Sequence, residues 1–122
     1  MSKTLGEFEQ MILFALLELE EGEAYGVTIR EVIEERTGRS ISSGAVYTAL
    51  DRLREQGLVT SWIGDPTPER GGRRKRYYRL EAPGLQALDR AARLFEGMSR
   101  GLLPTLRARL AEGADGGPRG TP

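Results

Sequence analysis

Apolar residues recur every three or four positions in three segments of the first half of the chain, which is the spacing of amphipathic helices. The pattern predicts a first helix over Leu5 to Leu19, a second from about Tyr25 or Gly26 to Thr37, and a third over Ser42 to Gly57. The first segment is apolar around most of its circumference, which is typical of a helix covered on two sides. The third has a single apolar face, which consists of Val46, Ala49, Leu50 and Leu53.

Two shorter segments with β-branched and aromatic residues follow the third helix. Leu58 to Ile63 predicts a strand, and Arg73 to Leu80 predicts the strand that returns beside it. Residues 64–72 between them contain the glycine, proline and aspartate typical of a flexible loop. Three helices followed by a hairpin are the order of a winged helix-turn-helix.

The last third of the chain predicts a long helix that starts at Pro83. Its apolar positions from Leu85 to Leu106 alternate spacings of three and four, the repeat of a helix that packs lengthwise on another. Pro104 predicts a kink or break, because an interior proline removes a helical hydrogen bond. The predicted fold is mainly α with a small β-hairpin: a winged helix-turn-helix over 1–82, a long helix over 83–112 and a disordered Gly/Pro-rich tail over 113–122.

The amino-acid composition excludes several kinds of catalytic and metal-binding site. The 122 residues include no cysteine and no histidine, which excludes disulfides, imidazole or thiolate metal sites and Cys or His catalysis. Glu20, Glu21 and Glu23 fall on a predicted turn, where solvation explains them better than a catalytic pair. We therefore expect no enzyme, no metal and no cofactor. The longest apolar run, Met11 to Leu17, is too short to span a membrane, so we expect a cytoplasmic protein.

The charge is unevenly distributed, although the formal net charge is zero. Nine glutamates lie within the first 35 residues, whereas a basic cluster occupies the predicted hairpin: Arg70, Arg73, Arg74, Lys75, Arg76 and Arg79. Cations this close repel one another, so a counter-charged partner is favoured over a merely solvated strand edge. A phosphate backbone fits this description, and Gly71 and Gly72 would allow it to approach the main chain closely.

The exposed face of the third helix supplies the other half of a predicted double-stranded DNA-binding surface. We expect its residues to enter the major groove: Ser43, Gly44, Tyr47, Thr48 and Arg52. The hairpin residues would contact phosphate or the minor groove: Arg70, Gly72, Arg73, Arg74, Lys75 and Arg76. Tyr47 is equally consistent with a half-buried core residue, and Arg52 with a surface pair to Glu55 or Gln56. Asp51 and Glu55 would repel phosphate, so only the first half of the helix is expected to go deep into the groove.

A homodimer is the second predicted partnership, because the long helix needs a surface to cover its apolar stripe. The predicted interface combines the first helix with that stripe: Leu13, Phe14, Leu17, Leu85, Leu88, Ala92, Phe95 and Leu102. The alternative is that this stripe is ordinary core. Two paired reading helices, about one turn of DNA apart, would also increase specificity.

Five segments of the sequence carry a family resemblance. They are LGEFE at 5–9, AYGV at 24–27, GAVYTALDRL at 44–53, GLV at 57–59 and RKRYYRL at 74–80. In this order and spacing, across about residues 5 to 103, the chain resembles the PadR-like winged helix-turn-helix transcriptional regulators.

The resemblance implies a homodimeric repressor of the short subtype, with one C-terminal helix that dimerises. It also implies that Tyr47 and the third helix meet DNA, and that Gly72, Arg73 and Arg74 form the tip of the wing. Some relatives bind aromatic drugs between tryptophans of the last helix. Here Phe95 is the only aromatic residue in that helix and Trp62 lies in a strand, so a small-molecule effector is not supported. The alternative function is a winged-helix module whose basic hairpin binds an acidic protein.

Overall fold

The computed structural model describes residues 4–65 and 74–116, which form five helices and one hairpin. The elements are α1 (Glu7–Glu18), α2 (Gly26–Thr37), α3 (Ser43–Glu55), β1 (Val59–Ile63), β2 (Arg76–Leu80), α4 (Ala82–Ser99) and α5 (Leu103–Gly116). The predicted fold class, mainly α with a small hairpin in winged helix-turn-helix order, is confirmed. The chain divides into two compact units, Met1–Ala91 and Ala92–Pro122.

The ends of α2 and α3 lie where the sequence places capping residues. Gly38 follows α2 with a φ of 74°, and Gly57 follows α3 with a φ of 76°, left-handed conformations that glycine adopts without strain. At the start of α3 the Ser42 hydroxyl oxygen accepts a hydrogen bond from the Ala45 N–H at 3.1 Å. These caps fix the length of α3 and therefore how many of its turns are exposed.

The core of the first unit lies where α1, α2 and α3 meet the hairpin. Its fully buried side chains are Ile12, Leu13, Ile29, Val46, Leu50, Leu53 and Val59. Leu13 and Leu88 were expected at a dimer interface, but Leu13 is 0% and Leu88 is 4% exposed within their own chain. Each side chain is already covered by the core of this unit, so neither offers surface to a second copy.

The hairpin is antiparallel, with a register that runs from Val59 opposite Leu80 to Ile63 opposite Arg76. Side chains alternate across it as expected, so that Tyr78 is buried and Arg79 is exposed. The Tyr78 N–H donates to the Ala24 carbonyl oxygen at 2.9 Å, which ties β2 to the residues just before α2. The hairpin is therefore attached to the helices by its second strand.

Three aromatic rings reinforce this attachment. The Tyr77 ring packs edge-on against Tyr25 at a centroid distance of 5.7 Å and stacks on Trp62 at 5.8 Å. Lys75 Nζ lies 4.6 Å from the centre of the Tyr25 ring, and the Arg79 guanidinium lies 5.2 Å from the centre of the Trp62 ring. Since Tyr25 is the residue that precedes α2, these contacts hold the loop end of the paired strands against the start of that helix.

The second unit contains the end of α4 and all of α5. Helix α4 ends at Ser99, Gly101 takes a φ of 77°, and Leu102 lies in the turn that follows. The interruption therefore precedes Pro104, which falls in the first turn of α5, where its missing N–H costs nothing. Because α5 continues to Gly116, residues 113–116 belong to a helix and not to the predicted tail, whose remainder lies outside the described residues.

None of the helices in the described ranges is both long and apolar enough to cross a membrane.

Gly84 provides a direct test of how α4 packs on the hairpin. A Cβ at this position would lie 2.8 Å from Leu80 Cδ1 and would overlap the Leu58 carbonyl oxygen. We expect Gly84→Ala to lower the free energy of unfolding by about 1 to 3 kcal/mol, measured by chemical denaturation. Gly97→Ala is the matched control, because both changes favour helix equally but a Cβ at Gly97 meets no atom within 4 Å. Equal stabilities of the two variants would contradict the close packing.

Tyr77 tests the aromatic attachment of the hairpin. Tyr77→Ala removes both ring contacts, each worth about 0.5 to 1.5 kcal/mol, so the Tyr78 amide should exchange with solvent about tenfold faster or more. The emission of Trp62, the only tryptophan of the chain, should shift when its stacking partner is removed. Tyr77→Phe retains the ring and should match the wild type. Unchanged exchange in Tyr77→Ala would show that the backbone bond alone holds the hairpin.

Candidate nucleic-acid interface

Helix α3 presents one polar face to solvent because its other face is used by the core. Val46, Leu50 and Leu53 are buried at 0 to 1% exposure. On the opposite side the five residues predicted to read DNA are all exposed: Ser43, Gly44, Tyr47, Thr48 and Arg52. The structure therefore brings these residues together on one continuous face of a single helix.

One edge of this face is formed by α2. The Tyr47 ring covers Gly26 so closely that a Cβ at position 26 would overlap it, while 44% of the tyrosine remains exposed. One turn further along α2, Arg30 Nη1 donates to the Ser43 hydroxyl oxygen at 3.3 Å. Both alternatives for Tyr47 thus hold together, since its ring packs on α2 and the side chain still borders the exposed face.

The other edge is formed by the start of α1. Residues Gly6 to Glu9 line an open hollow with Thr48 and Arg52 of α3. The carboxylates on this side have partners, because Glu7 pairs with Arg39 at 3.0 Å and Glu9 accepts the Gly6 N–H at 2.9 Å. Their negative charge is thereby partly offset at the edge of the α3 face.

The second half of α3 is linked to the hairpin by a chain of polar contacts. Asp51 pairs with Arg54 at 3.5 Å, and Arg54 Nη1 donates to the Ser61 hydroxyl oxygen at 3.3 Å. Arg76 Nη1 donates to the same oxygen at 3.0 Å. One of the two carboxylates expected to repel phosphate therefore has a cationic partner, and one hairpin arginine is oriented along β1.

Of the predicted hairpin contacts, three lie in described residues. Arg74 is exposed, Lys75 is half-buried on Tyr25, and Arg76 is exposed beside Ser61. The predictions for Arg70, Gly72 and Arg73 fall outside the described residues. The described cations therefore lie at the loop end of the hairpin, at the start of β2 and next to the residue that precedes α2.

Tyr78 is the buried residue of β2, two positions after Arg76. Burial raises the pKa of its phenol, while the charge of Arg76 opposes that shift. The hydroxyl is therefore neutral at neutral pH. Within the described parts of the chain, no group of three or more aspartates and glutamates is arranged to hold a metal ion.

Sequence reasoning missed several residues that build this surface, notably Tyr25, Arg30 and Gly26. Tyr25 and Gly26 belong to the segment AYGV, but no local pattern shows that Gly26 lies under Tyr47, 21 positions later in the sequence. Arg30 looked like an ordinary surface cation of α2, because only the packing of α2 on α3 brings it to Ser43.

Comparisons with known proteins agree with this architecture. The sequence profile of the transcriptional regulator PadR-like family matches residues 14–90 of the chain. A search of curated proteins finds no match.

Several solved structures have the same fold. A PadR family transcription regulator from hypervirulent Clostridium difficile is 24% identical and superposes with a TM-score of 0.67, over 83% of this chain and 99% of that one. A PadR-like transcriptional regulator from Bacillus cereus is 22% identical, with a TM-score of 0.63 over 81% of this chain and 89% of the other.

Bacillus subtilis PadR, whose structure is that of a complex with operator DNA, is 25% identical with a TM-score of 0.56, over 67% of this chain and 44% of that one. The profile match spans more than half of the sequence and includes α2, α3 and the hairpin. The chain therefore belongs to the PadR-like family of transcriptional regulators.

Proposed function

We propose that the chain is a sequence-specific DNA-binding repressor that acts as a homodimer. The observation that carries the proposal is the exposed face of α3, where Ser43, Gly44, Tyr47, Thr48 and Arg52 lie side by side. Small and polar side chains on the first two turns allow the helix to approach the base edges in the major groove. The operator complex of Bacillus subtilis PadR supports the same use of this fold.

The hairpin is the second contact surface of the proposal. Arg74, Lys75 and Arg76 lie at its loop end in the described residues, and Arg70, Gly72 and Arg73 complete the predicted set. Contacts of cations with phosphate position a protein on DNA without reading its sequence. Helix α3 would thus provide sequence preference, and the hairpin would provide most of the affinity.

The dimer is supported by large apolar side chains that the single chain leaves uncovered. In the first unit these are Phe14, Leu17 and Leu85, at 46 to 56% exposure. The second unit exposes a further set: Leu94, Phe95, Met98, Leu102, Leu106 and Leu110. Of the interface predicted from the sequence we retain Phe14, Leu17, Leu85, Ala92, Phe95 and Leu102. Exposed apolar groups in such number favour burial against a second copy.

Salt dependence tests the DNA-binding role. If a dimer contacts about 6 to 10 phosphates, its affinity for duplex DNA should fall roughly 10³ to 10⁵-fold between 50 and 200 mM salt. Fluorescence anisotropy with the DNA upstream of its own gene measures this directly. Binding that does not depend on salt would contradict the electrostatic contacts, and no binding at low salt would favour a protein partner for the hairpin instead.

Two classes of variant test whether the hairpin provides affinity and helix α3 provides sequence preference. Arg74→Ala with Lys75→Ala should weaken binding to all duplexes about equally, because phosphate contacts carry no sequence information. Thr48→Ala or Arg52→Ala should change the ranking of duplexes, by about 1 to 3 kcal/mol for each base that the side chain no longer reads. The reverse result would assign sequence reading to the hairpin.

The oligomeric state tests the dimer. Phe95→Glu places a charge on the exposed apolar face of α4 and should shift sedimentation from dimer to monomer at micromolar concentration. Gln86→Glu is the matched control, because it adds the same charge to an exposed polar position of the same helix and should leave the dimer intact. A wild-type chain that sediments as a monomer would contradict the proposed interface.

A further inference from the structure

Arg30 is a cation whose charge has no counter-charge in the described parts of the chain. It is half-buried, and its Nε is the buried side-chain nitrogen that finds no hydrogen-bond partner among those residues. Five other arginines pair with carboxylates: Arg36 with Glu18, Arg39 with Glu7, Arg54 with Asp51, Arg79 with Glu21 and Arg100 with Glu96. Arg52, Arg74 and Arg76 form no such pair in the described residues either, but each of them is exposed, whereas the Arg30 Nε is buried. A partly desolvated guanidinium that lacks such a partner is unfavourable, so an external anion would stabilise it.

The acidic residues closest to Arg30 along α2 do not neutralise it. The Glu34 carboxylate, one turn further on, accepts the backbone N–H of Ile41 at 2.8 Å. Glu31 is exposed, and neither of these glutamates forms an ion pair with Arg30. Helix α3 has no acidic residue in its first turn. The positive charge of Arg30 is therefore directed to the start of α3 without local compensation.

The position of Arg30 follows from two contacts between α2 and α3. Gly26 lies under Tyr47, and Arg30, four residues later on the same side of α2, donates to Ser43, four residues earlier on α3. The two contacts run along one edge of the exposed α3 face. Arg30 thus lies beside the first residue of the helix proposed to enter the major groove.

A phosphate oxygen suits this place better than a neutral ligand. The guanidinium has five N–H donors, of which one is directed to the Ser43 hydroxyl, and its planar shape matches phosphate. The free N–H groups of the first turn of α3 add a partial positive charge on the same side. A duplex that places its major groove on α3 brings its backbone to the edges of the helix.

We propose that Arg30, together with the Ser43 hydroxyl, binds a phosphate of the DNA backbone at the N-terminal end of α3. The proposal rests on the proposed DNA-binding function and adds to it a contact that comes from α2 rather than from the reading helix or the hairpin. This phosphate would fix how α3 is seated along the groove. Arg30 is accordingly a positioning residue for the contacts of α3 with the bases.

The test measures the salt dependence of binding for Arg30→Gln, which removes the charge but keeps a polar side chain. The probe is a duplex that the wild-type chain selects from a random pool, titrated by anisotropy between 50 and 200 mM salt. Removal of one phosphate contact should reduce the slope of log K against log salt by about 0.9 per subunit and weaken binding roughly tenfold per subunit at 0.1 M salt. Arg30→Lys keeps the charge and should retain the wild-type slope.

Arg90→Gln is the matched control, because it removes the same charge from an exposed position of α4. It should bind with the wild-type slope and affinity. Ser43→Ala removes the neutral partner of Arg30 and should leave the slope unchanged. Thermal unfolding verifies that each variant is folded, and Arg30→Ala, which keeps a good helix former and no buried nitrogen, replaces Arg30→Gln if that variant is unfolded.

Each other outcome overturns a defined part of the proposal. If the Arg30 variant weakens binding equally at every salt concentration, Arg30 supports the structure of α3 and does not bind phosphate. If it binds as Arg90→Gln does, Arg30 does not touch the DNA, although the DNA-binding function stands. A wild-type chain that selects no duplex overturns both proposals. Addition of inorganic phosphate at the same ionic strength should not restore binding of Arg30→Gln; restoration would assign the site to a free anion.

Discussion

The burial of one face of α3 is the constraint on which the rest of the surface depends. Leu50 and Leu53 are completely covered, and Val46 and Ala49 are nearly so, which sets the rotation of the helix about its own axis. Since each residue of a helix advances by about 100°, this rotation decides which side chains face outward. Gly44, Thr48 and Arg52 are therefore exposed because the opposite face of the helix is buried in the core, and not because of any interaction of their own.

The elements that pack beside α3 define the edges of its exposed face. Gly26 allows α2 to lie against Tyr47, and the start of α1 borders the side of Thr48. The Tyr25 and Tyr77 rings hold the hairpin at the start of α2, so the hairpin cations keep a defined position beside α2 and α3. A shift in any of these contacts would change the separation between helix and hairpin cations.

The charged residues differ in whether they have a partner of opposite charge. A chain with zero formal net charge uses many of its glutamates in ion pairs and caps on the helices, at Glu7, Glu9, Glu18 and Glu21. Arg30 and Arg74 form no such pair with a carboxylate of the described residues. Arg30 therefore leaves positive charge at the start of α3, and Arg74 leaves it at the loop end of the hairpin, where local fields matter more than net charge.

Local sequence patterns were sufficient to determine the helices, the strands and the inward face of α3. The helical repeat, the Ser42 cap and the glycines after α2 and α3 act over a few residues, so they can be read along the chain. The exposed set on α3 was predictable for the same reason, since it is the complement of the buried face. The family resemblance was carried by these same local segments.

Only the tertiary structure decided which contacts are made between segments that are distant in sequence. The placement of Leu13 and Leu88 in the core, of Tyr77 against Tyr25, and of Arg30 against Ser43 depends on how whole elements pack, which no repeat encodes. The predicted break near Pro104 is present, but only the structure places it between Ser99 and Leu103, where Gly101 takes a left-handed conformation and Pro104 falls in the first turn of the next helix. Short-range periodicity thus determined the elements and their faces, and long-range packing determined what each face touches.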